Sequence, residues 1–353
     1  MEPLTRLTAR LREGQSLDAL QAEAAARGLA GTADSVEDKT AFLSALASKG
    51  ESVVEVTAFA RVFRELARDP GLSDYASGAI DIVGTGGDRF GTYNISSTAA
   101  IIVAAGGVPV LKHGNRAITS KSGSAEFLAA LGIGIEAEPD VLRASVAELN
   151  FCFFFAPAFH PAFKEIMPVR QALAKQGVRT IFNILGPLIN PARPMRQVLG
   201  VFDEAWVAPL AGALDELGLD RGIVVHGRLS EGASGLDELT AAGENVMHGF
   251  GSLRGFNKTV APGMLGLNPC EPEVLKGGTP EQNRSLFEEL MDGRAHRGLE
   301  DTVCLNAGAG FFAADAVASL EAGCEHAREL LRGGAVRDWL ARSRAFYERH
   351  PAA

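Results

Sequence analysis

The chain has 353 residues, 46% of them hydrophobic and 22% charged, with a formal net charge of -9 and a sequence pI near 5.4. That length suffices for one large buried core with a smaller one beside it. The acidic balance argues against a general binder of nucleic acid or of acidic membranes, both of which need a basic footprint. Cys152, Cys270, Cys304 and Cys324 form no CxxC pair and read as scattered thiols of a reducing compartment rather than a zinc site.

The first residues, MEPLTRLTARLREGQSL, carry charge every few positions and no apolar core of a secretory leader, which predicts a cytoplasmic protein. From Leu4 to about Ala67 the apolar residues keep helical spacing: Leu4, Leu7 and Leu11, then Leu17 and Leu20, then Phe42, Leu43 and Leu46, then Val56, Phe59, Val62 and Phe63. With Gly14, Gly28, Gly50 and the Asp69-Pro70-Gly71 turn as punctuation, the expectation is about four short helices. An apolar face left over on such a unit would dock onto a second copy of the chain.

After Asp69-Pro70 short β-branched runs alternate with alanine- and leucine-rich stretches. Strands are predicted at 79–83, 108–111, 151–155, 197–202 and 221–225, and helices at 97–105, 124–131, 139–149, 204–217, 280–291, 301–312 and 319–332. The pattern predicts an α/β fold, a small N-terminal helical domain (1–75) followed by a larger domain (76–353) with a mostly parallel central sheet and flanking helices. Residues 161–195, rich in proline and glycine, read as a helical contribution to the first unit and a hinge between the two. The uncharged run 90–111 contains Asn94, Ser96, Ser97, Gly106, Gly107 and Pro109, and reads as helix, turn and buried strand rather than a membrane span.

Three turns between 81 and 132 carry the chemistry. Gly84-Thr85-Gly86-Gly87-Asp88 ends a predicted strand, where glycines let backbone N–H groups face an anion and Asp88 can hold a ribose hydroxyl or a hydrated metal; a plain tight turn is the alternative. Asn94-Ile95-Ser96-Ser97 opens a helix, either as an anion site or as simple N-capping. Lys112-His113-Gly114-Asn115-Arg116, followed by Ser120, Ser122 and Ser124, sets two cations and a hydroxyl loop at a strand end, against the alternative of a solvated basic loop. Arg170 and Arg179 could each recognise a carboxylate or make only a surface pair, and the adjacent acids of Gly235-Leu236-Asp237-Glu238 suit hydrated magnesium or are merely surface.

Taken together, GTGGD, NIS, KHGNRA, SGSA, FFFAPAFHPAFK, RTIFNILGPLINP, GLDE and LNAGAG resemble the anthranilate phosphoribosyltransferase family from Lys49-Gly50-Glu51 to about Gly308. The resemblance implies transfer of a phosphoribosyl group from phosphoribosyl pyrophosphate to anthranilate in tryptophan biosynthesis. It implies that Gly84, Gly87, Asp88, Thr92, Asn94 and Ile95 hold the donor, together with Ser96, Ser97, Lys112, Ser120 and Ser124. Gly84, His113, Asn115, His160 and Arg170 would line the anthranilate path, with Arg170 on the carboxylate. Ser96, Asp237 and Glu238 would hold two Mg2+ ions, and no dedicated general base is expected. The family is a homodimer joined through the helical domain, with no nucleic-acid or membrane partner. This chain departs from the family pattern at Ser97, where threonine is usual, at Ala174-Lys175-Gln176, which lengthen the spacing from Arg170 to Arg179, and in the loop 228–234. A pyrimidine nucleoside phosphorylase, or a non-catalytic nucleic-acid-binding relative of the fold, are the alternative readings.

Overall fold

The structure, a computed structural model, describes residues 2–88, 90–117, 121–229 and 235–351. Four helices open the chain: α1 (Leu4–Arg12), α2 (Ala19–Ala30), α3 (Val36–Lys49) and α4 (Val53–Glu65). Local chemistry sets their starts, since Asp18, Ser35 and Ser52 each accept a backbone N–H of the first turn from the N-cap position. Glu55 completes the cap of α4 and also ties the unit together. Its buried carboxylate accepts the Lys49 ammonium at 2.7 Å, the Ser52 N–H at 2.8 Å and the Leu17 N–H at 2.9 Å.

Seven strands follow: β1 (Ile80–Gly84), β2 (Val110–Gly114), β3 (Phe151–Phe155), β4 (Arg196–Gly200), β5 (Arg221–Gly227), β6 (Asn245–Gly251) and β7 (Asn257–Val260). Their order across the sheet is β3-β2-β1-β4-β5-β6-β7, with the first five mutually parallel and β6 antiparallel to both of its neighbours, β5 and β7. The five expected strands form within three residues of their predicted bounds. The hairpin partners β6 and β7 escape the sequence reading because glycines interrupt β6 and three of the four β7 residues are exposed, which erases the alternation a strand would show.

Alternation along the central strands sends neighbours to opposite faces. Ile82, Val198, Ile223 and Val225 enter a core with the helices Ile95–Ala105 and Arg297–Ala313. Leu199, Val201, Val224 and Val246 enter the other core, which continues into the apolar faces of α1–α4 and includes Ile166, Val169, Leu173, Phe182 and Leu188 from the segment expected as a hinge. The C-terminal helix Ala335–Arg349, absent from the predicted elements, buries Trp339 against Phe151 and spends its indole N–H on the Leu149 carbonyl. Among the described residues no helix is long and apolar enough to cross a membrane.

The residues Ala174, Lys175 and Gln176 are all exposed at the far end of the helix Met167–Lys175. The end of that helix therefore stands in solvent, while Arg170 lies in its first turns.

Candidate functional site

The strand order reverses at β1, whose neighbours are β2 and β4, and a crevice at the carboxyl ends of such strands is the place where open α/β sheets bind ligands. The GTGGD turn leaves β1 there, with Gly86 and Gly87 at φ of 68° and 86°, a backbone region that side-chain-bearing residues seldom adopt. The segment carrying Asp237 and Glu238 lies directly across the ends of β1 and β4. A Cβ on Gly84 would press on the Asp237 carboxylate and stand 3.0 Å from its carbonyl oxygen, and one on Gly200 would overlap that carbonyl. Leu236 and Gly227 exchange backbone hydrogen bonds of 2.7 and 3.0 Å, which pins the segment to β5.

The contacts then converge. Asp237 Oδ2 accepts the Gly86 N–H at 2.6 Å, and Glu238 Oε1 accepts the Ser96 N–H at 3.3 Å. Asp88, Asp237 and Glu238 are 9%, 7% and 8% exposed. Burial, followed by repulsion from Asp88, pushes the Asp237 carboxyl up to about 7; burial, followed by repulsion from Asp237, pushes Glu238 well above the usual range. Burial raises Asp88 as well. Crowded, desolvated acids of this kind gain from a cation. Among the described residues no group of three His, Cys, Asp or Glu side chains is arranged to hold a metal by itself, while the hard oxygen donors Asp237 and Glu238 beside a glycine turn are of the kind that hydrated Mg2+ takes.

Lys112 does not project from the end of its strand as the sequence suggested. It is 1% exposed and donates from Nζ to the Ile82 carbonyl at 2.5 Å; burial draws its pKa down, against the pull of Asp81 and Glu238. Arg116, the second expected cation, is exposed, pairs with Glu136 at 3.3 Å and lies over the Phe155 ring. Asn115 is exposed too, and its carbonyl accepts the Ser124 hydroxyl at 3.1 Å.

At the helix start, Asn94 occupies the N-cap position without capping. Its side chain is held instead by Asn283 at 2.7 Å and Ser122 at 3.1 Å, so the capping alternative fails for this residue. Asn283, inside the helix Pro280–Met291, had no local signal in the sequence. Ile95 and Ser97 are buried in the core under the helix, and Thr92 bridges to Lys276. Ser120 lies outside the described residues, as do residues 230–234 of the long loop.

On the other side of the crevice, His113 and His160 stand with ring centroids 5.1 Å apart, both buried and both with Nε2 unpartnered. Burial, with the neighbouring His160 and despite a hydrogen bond to the Gly186 backbone, draws His113 down to about 3; burial draws His160 down to about 4. His160 meets Phe163 at 5.7 Å, and the Arg170 guanidinium lies over the rings of Phe163 and Phe182 at 5.9 and 5.6 Å. No carboxylate among the described residues pairs with Arg170. Arg179 works elsewhere, stacked on Phe202 at 3.9 Å and donating to the Gly87 carbonyl at 2.8 Å. Both belong to a cleft of about 440 Å³ that also includes Asp88, His226 and Gly235. The sequence reading missed Phe163 and Phe182, although both lie in the quoted motifs, because phenylalanine reads as core unless its neighbour is known.

The helical bundle domain of a glycosyl transferase family matches residues 5–67, and the a/b domain of the same family matches residues 76–337. Anthranilate phosphoribosyltransferase of Parvibaculum lavamentivorans is 44% identical over 338 residues, 95% of this chain and 95% of its own. The chain belongs to the anthranilate phosphoribosyltransferase family. The Thermus thermophilus member is 46% identical over 86% of this chain and 88% of its own. The crystal structure of a Thermus thermophilus anthranilate phosphoribosyltransferase aligns with a TM-score of 0.85 at 43% identity, covering 97% of this chain and 99% of that one. The Saccharomyces cerevisiae anthranilate phosphoribosyltransferase, in complex with PRPP and Mg, shares the fold at 24% identity with a TM-score of 0.82 over 98% of both chains. Ser97 is 1% exposed, so a change of side chain there is a matter of packing.

Proposed function

We propose that the chain transfers the 5-phosphoribosyl group of phosphoribosyl pyrophosphate to the amine of anthranilate and releases pyrophosphate. The observation that carries this reading is Arg170, a cation without an acidic partner among the described residues, framed by two phenylalanine rings beside the His113–His160 pair. A planar aromatic carboxylate satisfies all three at once: charge on the guanidinium, ring against rings, and an amine directed toward neutral imidazoles.

In the reaction the amine nitrogen forms a bond to the anomeric carbon as that carbon's bond to the pyrophosphate oxygen breaks, the leaving group carries away the electron pair, and the resulting ammonium nitrogen releases its extra proton to the departing pyrophosphate or to water. Ser96, Asp237 and Glu238 would hold the two Mg2+ ions with Asp88 beside them, and Lys112 lies beneath the loop on the Ile82 carbonyl. When bound, magnesium supplies charge that makes pyrophosphate a competent leaving group. Gly84, Gly87, Thr92, Asn94 and Ser124 would shape the donor pocket, and the resemblance adds Ser120 to that set. The arylamine is neutral, so alignment dominates and no base is required to create the nucleophile. His113 and His160, held neutral by burial, add no competing cation near Arg170.

We assign the working form as a cytoplasmic homodimer joined through the helical unit. Exposed large apolar side chains support the surface: among the described residues Leu20, Val36, Val54, Leu66 and Met167 belong to or adjoin that unit. The test is a fluorescence assay of anthranilate consumption with phosphoribosyl pyrophosphate, with and without magnesium. Consumption that needs both is expected. No consumption, or turnover of a pyrimidine nucleoside with phosphate instead, would overturn the assignment.

A further inference from the structure

Parallel strands β1 and β2 share a single register pair, Ile80 with Val110, whereas β1 and β4 pair over five residues and β2 and β3 over another five. The next regular rung of a parallel ladder would join the Ile82 N–H to the Leu111 carbonyl and the His113 N–H to the Ile82 carbonyl. Three of those four backbone groups are held by side chains instead. The Asp81 carboxylate accepts, through Oδ1, the N–H of His113 at 3.4 Å. Asn190 Nδ2 donates to the Leu111 carbonyl at 2.7 Å and to Asp81 Oδ2 at 2.8 Å, and Lys112 Nζ takes the Ile82 carbonyl. Asn190 is itself fixed, because its Oδ1 accepts the Ala192 N–H at 3.0 Å.

Buried backbone groups left unpaired are costly, so the substitution keeps the strands apart without most of that cost. We infer that Asp81 and Asn190 form a wedge that holds the ends of β1 and β2 open, and that they are positioning residues for the reaction. The wedge sets the separation between the GTGGD turn at the end of β1 and the Lys112-His113 pair on β2. Asn190 arrives from the 186–192 segment, which packs with α1–α4, so the same contact also fixes the helical unit against the crevice. Without it the two strands have the hydrogen-bonding groups to close by one rung.

The kinetic arm of the test rests on the phosphoribosyl transfer proposed above, and a second arm needs no substrate. Asn190→Leu keeps the volume and removes every polar atom. By calorimetry with magnesium and no acceptor, its Kd for phosphoribosyl pyrophosphate should rise about tenfold or more, while the ligand-free melting temperature falls by only a few degrees. By amide hydrogen exchange, protection at Ile82 and His113 should change about tenfold with the β1–β4 rungs unaffected. A folded Asn190→Leu whose donor Kd lies within twofold of wild type, or whose Ile82 and His113 amides exchange as before, overturns the wedge. Asn190→Ser keeps one donor and serves if the leucine variant does not fold; intermediate donor affinity supports the role, and wild-type affinity refutes it. If wild type binds no donor, the exchange arm alone decides.

Discussion

Gly84→Ala separates the site from the fold. Gly84 has ordinary backbone geometry, so alanine strains no dihedral, and the three atoms nearest its methyl all belong to Asp237: it is pressed on the carboxylate, 2.9 Å from Cγ and 3.0 Å from the carbonyl oxygen, where ordinary contact begins at 3.4 Å. The side chain must retreat by about half an ångström at Cγ and further at its oxygens, enough to break the 2.6 Å bond from the Gly86 N–H and to displace the carboxylate proposed to hold magnesium. A misplacement approaching 1 Å at a reacting constellation costs about a hundredfold in rate. Stability changes little by comparison, because the displaced acid already resists burial. Steady-state kinetics at several magnesium concentrations should show kcat/KM for the phosphoribosyl donor reduced about a hundredfold, a higher magnesium requirement, and a melting temperature within a few degrees of wild type. Unchanged kinetics would mean that the acidic segment is not poised over β1 in the working enzyme.

Arg170→Ala should raise the KM for anthranilate about 10- to 100-fold with little change in that for the donor, since one charge-assisted interaction is removed; equal effects on both would reject the carboxylate role. His113 and His160 are held neutral at pKa values of about 3 and about 4, below the ordinary 6.5, so the unfolded chain binds more protons between about pH 6.5 and 4 and stability falls on acidification through that window. The raised carboxyls of Asp81 and Asp237 pull the other way in both proteins, so the difference between wild type and His113→Gln isolates one imidazole. That difference should slope by about 1.4 kcal/mol per pH unit below pH 6, and parallel melting curves would contradict it. Glu55→Leu leaves the 6% exposed Lys49 ammonium unpaired and should cost about 3–5 kcal/mol in urea denaturation. A loss under about 1 kcal/mol would show that the pair contributes little.

Local chemistry was legible wherever a residue's neighbours in sequence are also its neighbours in space. Ser52 caps α4 because Glu55 follows three residues later, and the helices Pro139–Leu149 and Pro280–Met291 begin where proline and a preceding polar residue allow. The glycines of GTGGD announced a tight turn and close approach, and the five parallel strands announced themselves by apolar runs between helices. The motifs that resemble the family likewise needed no coordinates.

What only tertiary structure decided is where the polar groups end up. Lys112 and Arg116 look like twin cations at one strand end, yet one is buried on the Ile82 carbonyl and the other is paired with Glu136 at the surface. Asn94 looks like a cap and is held by Asn283, 189 residues away. Asp237 and Glu238 look like an exposed acidic pair and lie buried across β1 and β4, where Asp88 and the Gly86 amide meet them. Asp81 and Asn190 carry no signal at all until the missing rung between β1 and β2 is seen. The physical reason is common to all four: a hydrogen bond or a charge contact is worth what its burial and partner make it, and both are properties of the folded chain.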